Sequence, residues 1–320
     1  MRKLVVNVLA YNSEYSTSTQ IAAKCDMSVM ECYLKNAFVC LKSCISNTPD
    51  LDAALFVNFN VDEKYRRLYE ENGLKIIELP FDKYVHPKEF KWALVNYRIC
   101  CLDYAVHNLD YDYYLALDTD VYCVDDLSDM FAEMKYGVMM HNIGHRLSHK
   151  DRQEIIDTTP LYFGERVDIV HFGGECLGGT RENLTEFIAK WEDVFNKTYD
   201  AVIEKKIYKF NDEYISSMVA HTLPVRQAVP YMFRYWTIKD FFLICNNWKY
   251  NSVCLWHLPV EKKRGIYKLF NYFNKHGEFP SVNKAAAMMG FGRTTRPFVL
   301  SDYPIRAKNF LDRTFKAKKR

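Results

Sequence analysis

The sequence predicts an α/β fold: one large domain built on a mostly parallel central sheet with helices on both faces. Three observations lead there. Apolar runs of strand length alternate with segments of helical period from residue 4 to residue 120. The runs are continuous rather than alternating, as strands buried on both faces must be. The chain is also long enough, at 320 residues and 49% hydrophobic, to fill one sizeable core.

The elements follow in order. LVVNVLAY (4–11) is a buried strand, and MSVMECYLKNAFVCLKSCI (27–45) carries helical periodicity. AALFVNFN (53–60) is a second strand. VDEKYRRLYEENG (61–73) is a helix that Gly73 stops. KIIELP (75–80) is a third strand, KEFKWALVNYRICCLDYAVH (88–107) a long helix, and YYLALDTD (113–120) a fourth strand. VMMHNI (138–143) and VDIVHFGGECLGG (167–179) are further strands. Thr180 is placed to cap a helix over 180–206, and Asn211 to cap another over 211–222. VCLWHL (253–258) is a late strand.

Composition narrows the function. A net charge of +3 argues against general affinity for nucleic acid. The charge is uneven, however. The stretch RAKNFLDRTFKAKKR (306–320) is basic, with Phe310, Leu311 and Phe315 interleaved, and reads as a solvated tail, with peripheral contact to an anionic membrane surface as the alternative. The 10 cysteines form no CxxC pair and read as free thiols of a reducing compartment. The opening apolar run is broken by Asn7 and is too short for a signal peptide or a span. A cytoplasmic protein is therefore the expectation, with peripheral contact at the inner face of a membrane left open as an alternative.

The strongest chemical signal is YYLALDTDVYCVDDL (113–127), where a buried run drives into Asp118 and Asp120. Carboxylates at a buried strand tip need a cation, a cavity or a partner. In extended chain, residues two apart share a face, so both acids could approach one ion. An EF-hand is excluded, because Tyr122 and Cys123 stand at its fifth and sixth positions. Oxygen ligands suit Mg²⁺ or Mn²⁺, which would neutralise a diphosphate leaving group. In open sheets ligands bind beyond the carboxyl ends of strands, which adds Ala10, Tyr11 and Asn12. HFGGECLGGT (171–180) offers two glycine pairs for close backbone approach, and NDEY (211–214) opens a helix with two acids. His141, His145 and His149 are read as loop histidines rather than a zinc site. His257 could complete the metal site as a third ligand.

These residues resemble a GT-A-fold glycosyltransferase, with a Rossmann-like sheet and a DXD segment. The preceding helix, with Lys91 and Arg98, resembles the one that offers basic residues to the nucleotide-sugar. The chain is most similar to family 6, the retaining α-galactosyl and blood-group type transferases. There a Gly-Gly-Thr turn, a helix and an Asp-Glu pair follow one another, as Gly178-Gly179-Thr180 and Asp212-Glu213 do here. Where that family has Trp-His before the acids, this chain has Phe210 and Asn211. His257 with Lys262 and Lys263 faintly resembles family 8, where a late His binds the metal and a Lys touches phosphate.

The resemblance implies a metal-dependent transferase that uses Mn²⁺ or Mg²⁺. It would move a sugar from a nucleotide-diphosphate donor, a UDP-hexose, to a saccharide or glycolipid acceptor with retention, as in surface polysaccharide assembly. By that likeness Asp212 binds the donor sugar, and Glu213 is the nucleophile or the stabiliser of the transition state. Asp118, Thr119, Gly178 and Gly179 contact the donor. Residues 1–126 would form the donor half, 127–305 the acceptor and catalytic half, and 306–320 the basic tail. A sugar-nucleotide pyrophosphorylase and an inactive glycan-binding protein are the alternatives. The former should carry a glycine-rich loop where this chain has YNSEYSTSTQ.

Overall fold

A computed structural model describes residues 1–12, 28–237 and 248–291. The basic stretch 306–320 lies outside the described residues. The strands are β1 (Lys3–Leu9), β2 (Leu51–Val57), β3 (Lys75–Glu78), β4 (Tyr113–Leu117), β5 (Val121–Cys123), β6 (Val138–Asn142), β7 (Phe172–Thr180), β8 (Val225–Gln227), β9 (Met232–Arg234) and β10 (Leu255–His257). Seven of them form the central sheet in the order β3-β2-β1-β4-β7-β6-β8. All neighbours pair in parallel except β7, which runs antiparallel to both β4 and β6. The expected α/β fold with a mostly parallel sheet is thus observed.

Parallel pairing demands crossovers, and helices Val29–Asn47, Glu63–Glu71 and Tyr97–Asn108 supply them. Strand alternation then splits the core in two. Val5, Leu55 and Leu115 face one layer with Phe38, Tyr69 and Trp256. Leu4, Val6, Phe56 and Tyr114 face the other with Tyr97, Phe187 and Trp191. Burial on both faces is why these strands are apolar throughout.

A second, three-stranded sheet, β5-β10-β9, sits beside the first. Its β10 pairs antiparallel with β5, setting His257 opposite Val121. The Leu258 N–H donates to the Asp120 carbonyl at 2.8 Å, which ties this sheet to the acid-rich turn.

Several boundaries differ from expectation. The fourth strand stops at Leu117, and Asp118 to Asp120 form a turn closed by Val121 N–H on the Asp118 carbonyl at 3.2 Å. The helix expected from residue 88 begins at Tyr97. Before it, Trp92 has a φ of 64°, which no helix interior accepts. Lys91 instead gives its N–H to the Tyr208 carbonyl at 2.7 Å. The strand expected from residue 167 begins at Phe172. Both predicted caps form, with Thr180 accepting from Asn183 N–H and Asn211 from Glu213 N–H. Among the described residues, no helix is long and apolar enough to cross a membrane.

One core residue carries a pH cost. His86 is 1% exposed and stacks on Phe90 at 4.6 Å between ring centroids. Burial pushes its pKa down to about 4, against a hydrogen bond to the Phe210 backbone that works to raise it. The folded state therefore binds fewer protons here than the unfolded chain, whose His titrates near about 6.5. Its contribution is intact above that pH and is lost as pH falls toward 4. Between pH 7.5 and 4.5 the loss is about 2–3 kcal/mol. His86→Phe should lessen the acid-induced fall in the urea midpoint relative to wild type. An identical fall in both proteins would clear His86 as its source.

Candidate active site

A cavity of about 680 Å³ opens beyond the carboxyl ends of β1 and β4, as the open-sheet rule requires. Ala10, Tyr11 and Asn12 line it from β1, Arg98 from the Tyr97–Asn108 helix, and Asp118, Thr119 and Asp120 from the turn after β4. Asp212 and Glu213, at the start of the Asp212–Ala220 helix, line it as well. Two sequence-distant sets of acids thus share one cavity.

Asp118, Asp120 and His257 offer ligand atoms that all lie within 4.8 Å of one another. His257 Nε2 is 3.8 Å from Asp118 Oδ2 and 3.5 Å from Asp120 Oδ2. The shared direction of the two acids comes from the turn rather than from strand alternation. Their surroundings differ sharply. Burial raises the Asp118 carboxyl above its usual range, although Arg98 Nη2 donates to its Oδ1 at 2.6 Å. Burial would raise Asp120 too, but the ammonium of Lys262 and the ring of His257 hold it well below. Burial works to lower His257, yet Asp120 and Glu175 lift it to about 9.

Arg98 is 7% exposed and bridges the two sets of acids, with Nη1 3.6 Å from Asp212 Oδ2. Burial carries the Asp212 carboxyl up to about 7 against the pull of Arg98, helped by repulsion from Glu213 and Asp118. Glu213 is less enclosed. Its Oε1 accepts from Gly174 N–H at 3.1 Å, and its Oε2 lies 3.4 Å from His171 Nε2.

Three sequence expectations land elsewhere. Lys91 is exposed, with its Nζ 5.2 Å from the Trp92 ring centroid, and does not line the cavity. Gly178 and Gly179 sit inside the sheet, opposite Leu115 and Tyr114. They serve packing: a Cβ on Gly178 would meet Met134 Cε at 2.8 Å, and one on Gly179 would meet Leu184 Cγ at 3.1 Å. The other glycine pair faces the chemistry. A Cβ on Gly174 would stand 3.0 Å from Arg98 Nη1 and 3.3 Å from Asp212 Oδ2. Of the three histidines expected in a loop, His141 is instead a buried residue within β6, opposite Gly173 of β7, while His145 lies in the following loop. His149 caps the Lys150–Ile156 helix and accepts the Asp151 N–H at 3.3 Å, which occupies its Nδ1 lone pair.

Glu175 was not foreseen. It is fully buried in β7, with its Oε1 3.7 Å from His257 Nδ1. Arg234 Nε donates to it at 3.0 Å, and His141 Nδ1 approaches at 2.6 Å. Burial works to raise its carboxyl, but Arg234 with His141 and His257 hold it well below the usual range. An acid flanked by glycines and apolar residues within a strand was the available signal. No protein-family model and no curated protein matches the chain.

Two carboxylates and one imidazole suit a divalent ion of intermediate hardness, and the imidazole favours Mn²⁺ over Mg²⁺. The residues present therefore fit the expected cation.

Proposed function

We propose that this chain is a metal-dependent glycosyltransferase of GT-A type that uses a nucleotide-diphosphate sugar, with a UDP-hexose as the donor class. The observation that carries the reading is the pairing across one cavity of a cation-binding trio, Asp118, Asp120 and His257, with the Asp212-Glu213 pair. A mostly parallel sheet with Asp118 and Asp120 just past β4, and His257 brought beside them by β10, is compatible with that fold.

In this reading a bound cation neutralises the diphosphate and makes it a better leaving group. A cation held by Asp118, Asp120 and His257 would compete with the proton on His257 and with Lys262 for Asp120. Lys262 lines the cavity and is then free to meet a phosphate oxygen. Arg98 holds Asp118 and Asp212 in fixed relation, so the diphosphate end and the sugar end of the donor are registered to each other. Asp212 accepts or donates hydrogen bonds to sugar hydroxyls, and Glu213 stabilises the positive charge that grows at the anomeric carbon. Both Glu213 oxygens face donors, which favours electrostatic stabilisation over covalent attack. A saccharide or glycolipid acceptor enters past Asp151 and Trp236, which line the same cavity.

Incubation of the pure protein with a panel of nucleotide sugars and Mn²⁺ tests the reading. Slow donor hydrolysis, abolished by EDTA, is the expected result. No turnover and no nucleotide-sugar binding with any donor would remove it.

A further inference from the structure

The cavity wall behind Glu213 holds two imidazoles in series. We propose that His171 and His145 are positioning residues for Glu213, forming a hydrogen-bonded chain that fixes the direction of its carboxylate. The functional half of this proposal rests on the glycosyltransferase reading, while the arrangement itself does not.

With a single proton on His171, the distances leave one consistent assignment. His171 Nε2 lies 3.4 Å from Glu213 Oε2, so this nitrogen must carry a proton, since a lone pair there would face a carboxylate. The neutral ring then has its lone pair on Nδ1. His145 Nδ1 lies 2.9 Å from that atom, and two nitrogens at this distance share one hydrogen. His145 therefore donates from Nδ1. With His171 doubly protonated, its Nδ1–H would donate to His145 instead, and the link to Glu213 would hold as well. Burial drives the His145 pKa down to about 4, with His171, His149 and Arg234 adding to the effect and Asp151 opposing it. At neutral pH it is the single-proton imidazole that the chain needs.

The rings are also held in place. His145 meets His171 edge to face, with centroids 4.9 Å apart, and stacks on His149 at 3.6 Å. His171 is 5% exposed, whereas the Glu213 side chain is 33% exposed toward the cavity. The chain thus runs from a buried support to a carboxylate that substrate can reach. Gly174 N–H fixes the other carboxylate oxygen. A carboxylate tethered at both oxygens cannot swing away as the sugar binds, which is how an outer support speeds a reaction without touching it. No proton has to move for this to work.

Two measurements on the full chain test it. The first is NMR of protein carrying ¹⁵N-labelled histidine, reading which ring nitrogen bears the proton, with assignment by His171→Gln and His145→Gln. The expected result is Nε2–H on His171 and Nδ1–H on His145. A proton on His171 Nδ1 instead would overturn the chain whether or not the protein transfers sugar. The second is kinetic. His171→Ala should lower kcat by about 10–100-fold with little change in donor KM. His171→Gln, whose amide N–H can reach the place of Nε2–H, should recover most of the loss. Wild-type kcat in His171→Ala would overturn the positioning role. Absence of transfer in wild type, beside the expected tautomers, would fault the proposed reaction and leave the chain standing.

Discussion

Glu213→Gln is expected to lower sugar transfer by about 10²–10³-fold while donor affinity stays within about threefold. Charge at the anomeric carbon exists only in the transition state, so a carboxylate that answers it affects turnover rather than binding. In the proposed reading the donor's diphosphate would be held through Asp118, Asp120 and Lys262, which line the same cavity as Glu213 but are not the substituted group. Glutamine also has to set its NH₂ against one of the two donors that face Glu213, either Gly174 N–H or His171. Initial rates with Mn²⁺, beside UDP calorimetry, measure both quantities. NMR of the product gives the anomeric configuration, expected to be retained. Near-normal turnover would take Glu213 out of the reaction. An inverted product would recast it as a base acting on the acceptor.

Asp118→Asn and Asp120→Asn should each abolish tight Mn²⁺ binding, with a loss of at least about 100-fold, but with different structural costs. Asp118 is partly open to the cavity, and burial already disfavours its charge. Its neutral amide weakens the pair with buried Arg98, which keeps Asp212 at 3.6 Å, so the melting temperature should fall less than in Asp120→Asn. Asp120 is the buried partner of Lys262, which is only 8% exposed. Neutralising it strands an ammonium, a change that costs about 3 kcal/mol when the cation cannot reach water. Electron paramagnetic resonance of free Mn²⁺ and thermal denaturation separate the two effects. Unchanged Mn²⁺ affinity in both variants would dissolve the metal trio. Equal melting temperatures would mean that Lys262 finds another partner.

Much of this was legible because it is local. The continuous apolar runs around Val5, Leu55 and Leu115 announced strands covered on both faces, and the caps at Thr180 and Asn211 lie within three residues of the N–H groups they satisfy. The acids Asp118, Asp120, Asp212 and Glu213 stood out because charge beside buried strands or at helix starts needs a reason. What escaped notice depends on distance. Glu175 acquires its meaning from Arg234 and His141, which reach it only through the pairing of β7 with β6 and the placing of β9 by the second sheet. The choice between glycine pairs was likewise invisible, because both read alike until β7 is set against β4 and only Gly174 reaches the cavity. Trp92 misled in another way. Its surroundings have helical period, yet a left-handed backbone there delays the helix to Tyr97 and leaves Lys91 on the surface. One omission was avoidable. Ile266, Leu269, Phe270 and Phe273 have helical spacing, and Gly277 closes that helix with a φ of 75°.

The claim on which the rest depends is that Asp118, Asp120 and His257 hold a cation that in turn holds a nucleotide diphosphate. Calorimetric titration of UDP into the wild-type chain, once with Mn²⁺ and once with EDTA, tests it most directly. The account predicts binding in Mn²⁺ that weakens at least about tenfold in EDTA, and a difference that vanishes in Asp118→Asn. UDP that binds equally well in EDTA, or not at all in Mn²⁺, would contradict it.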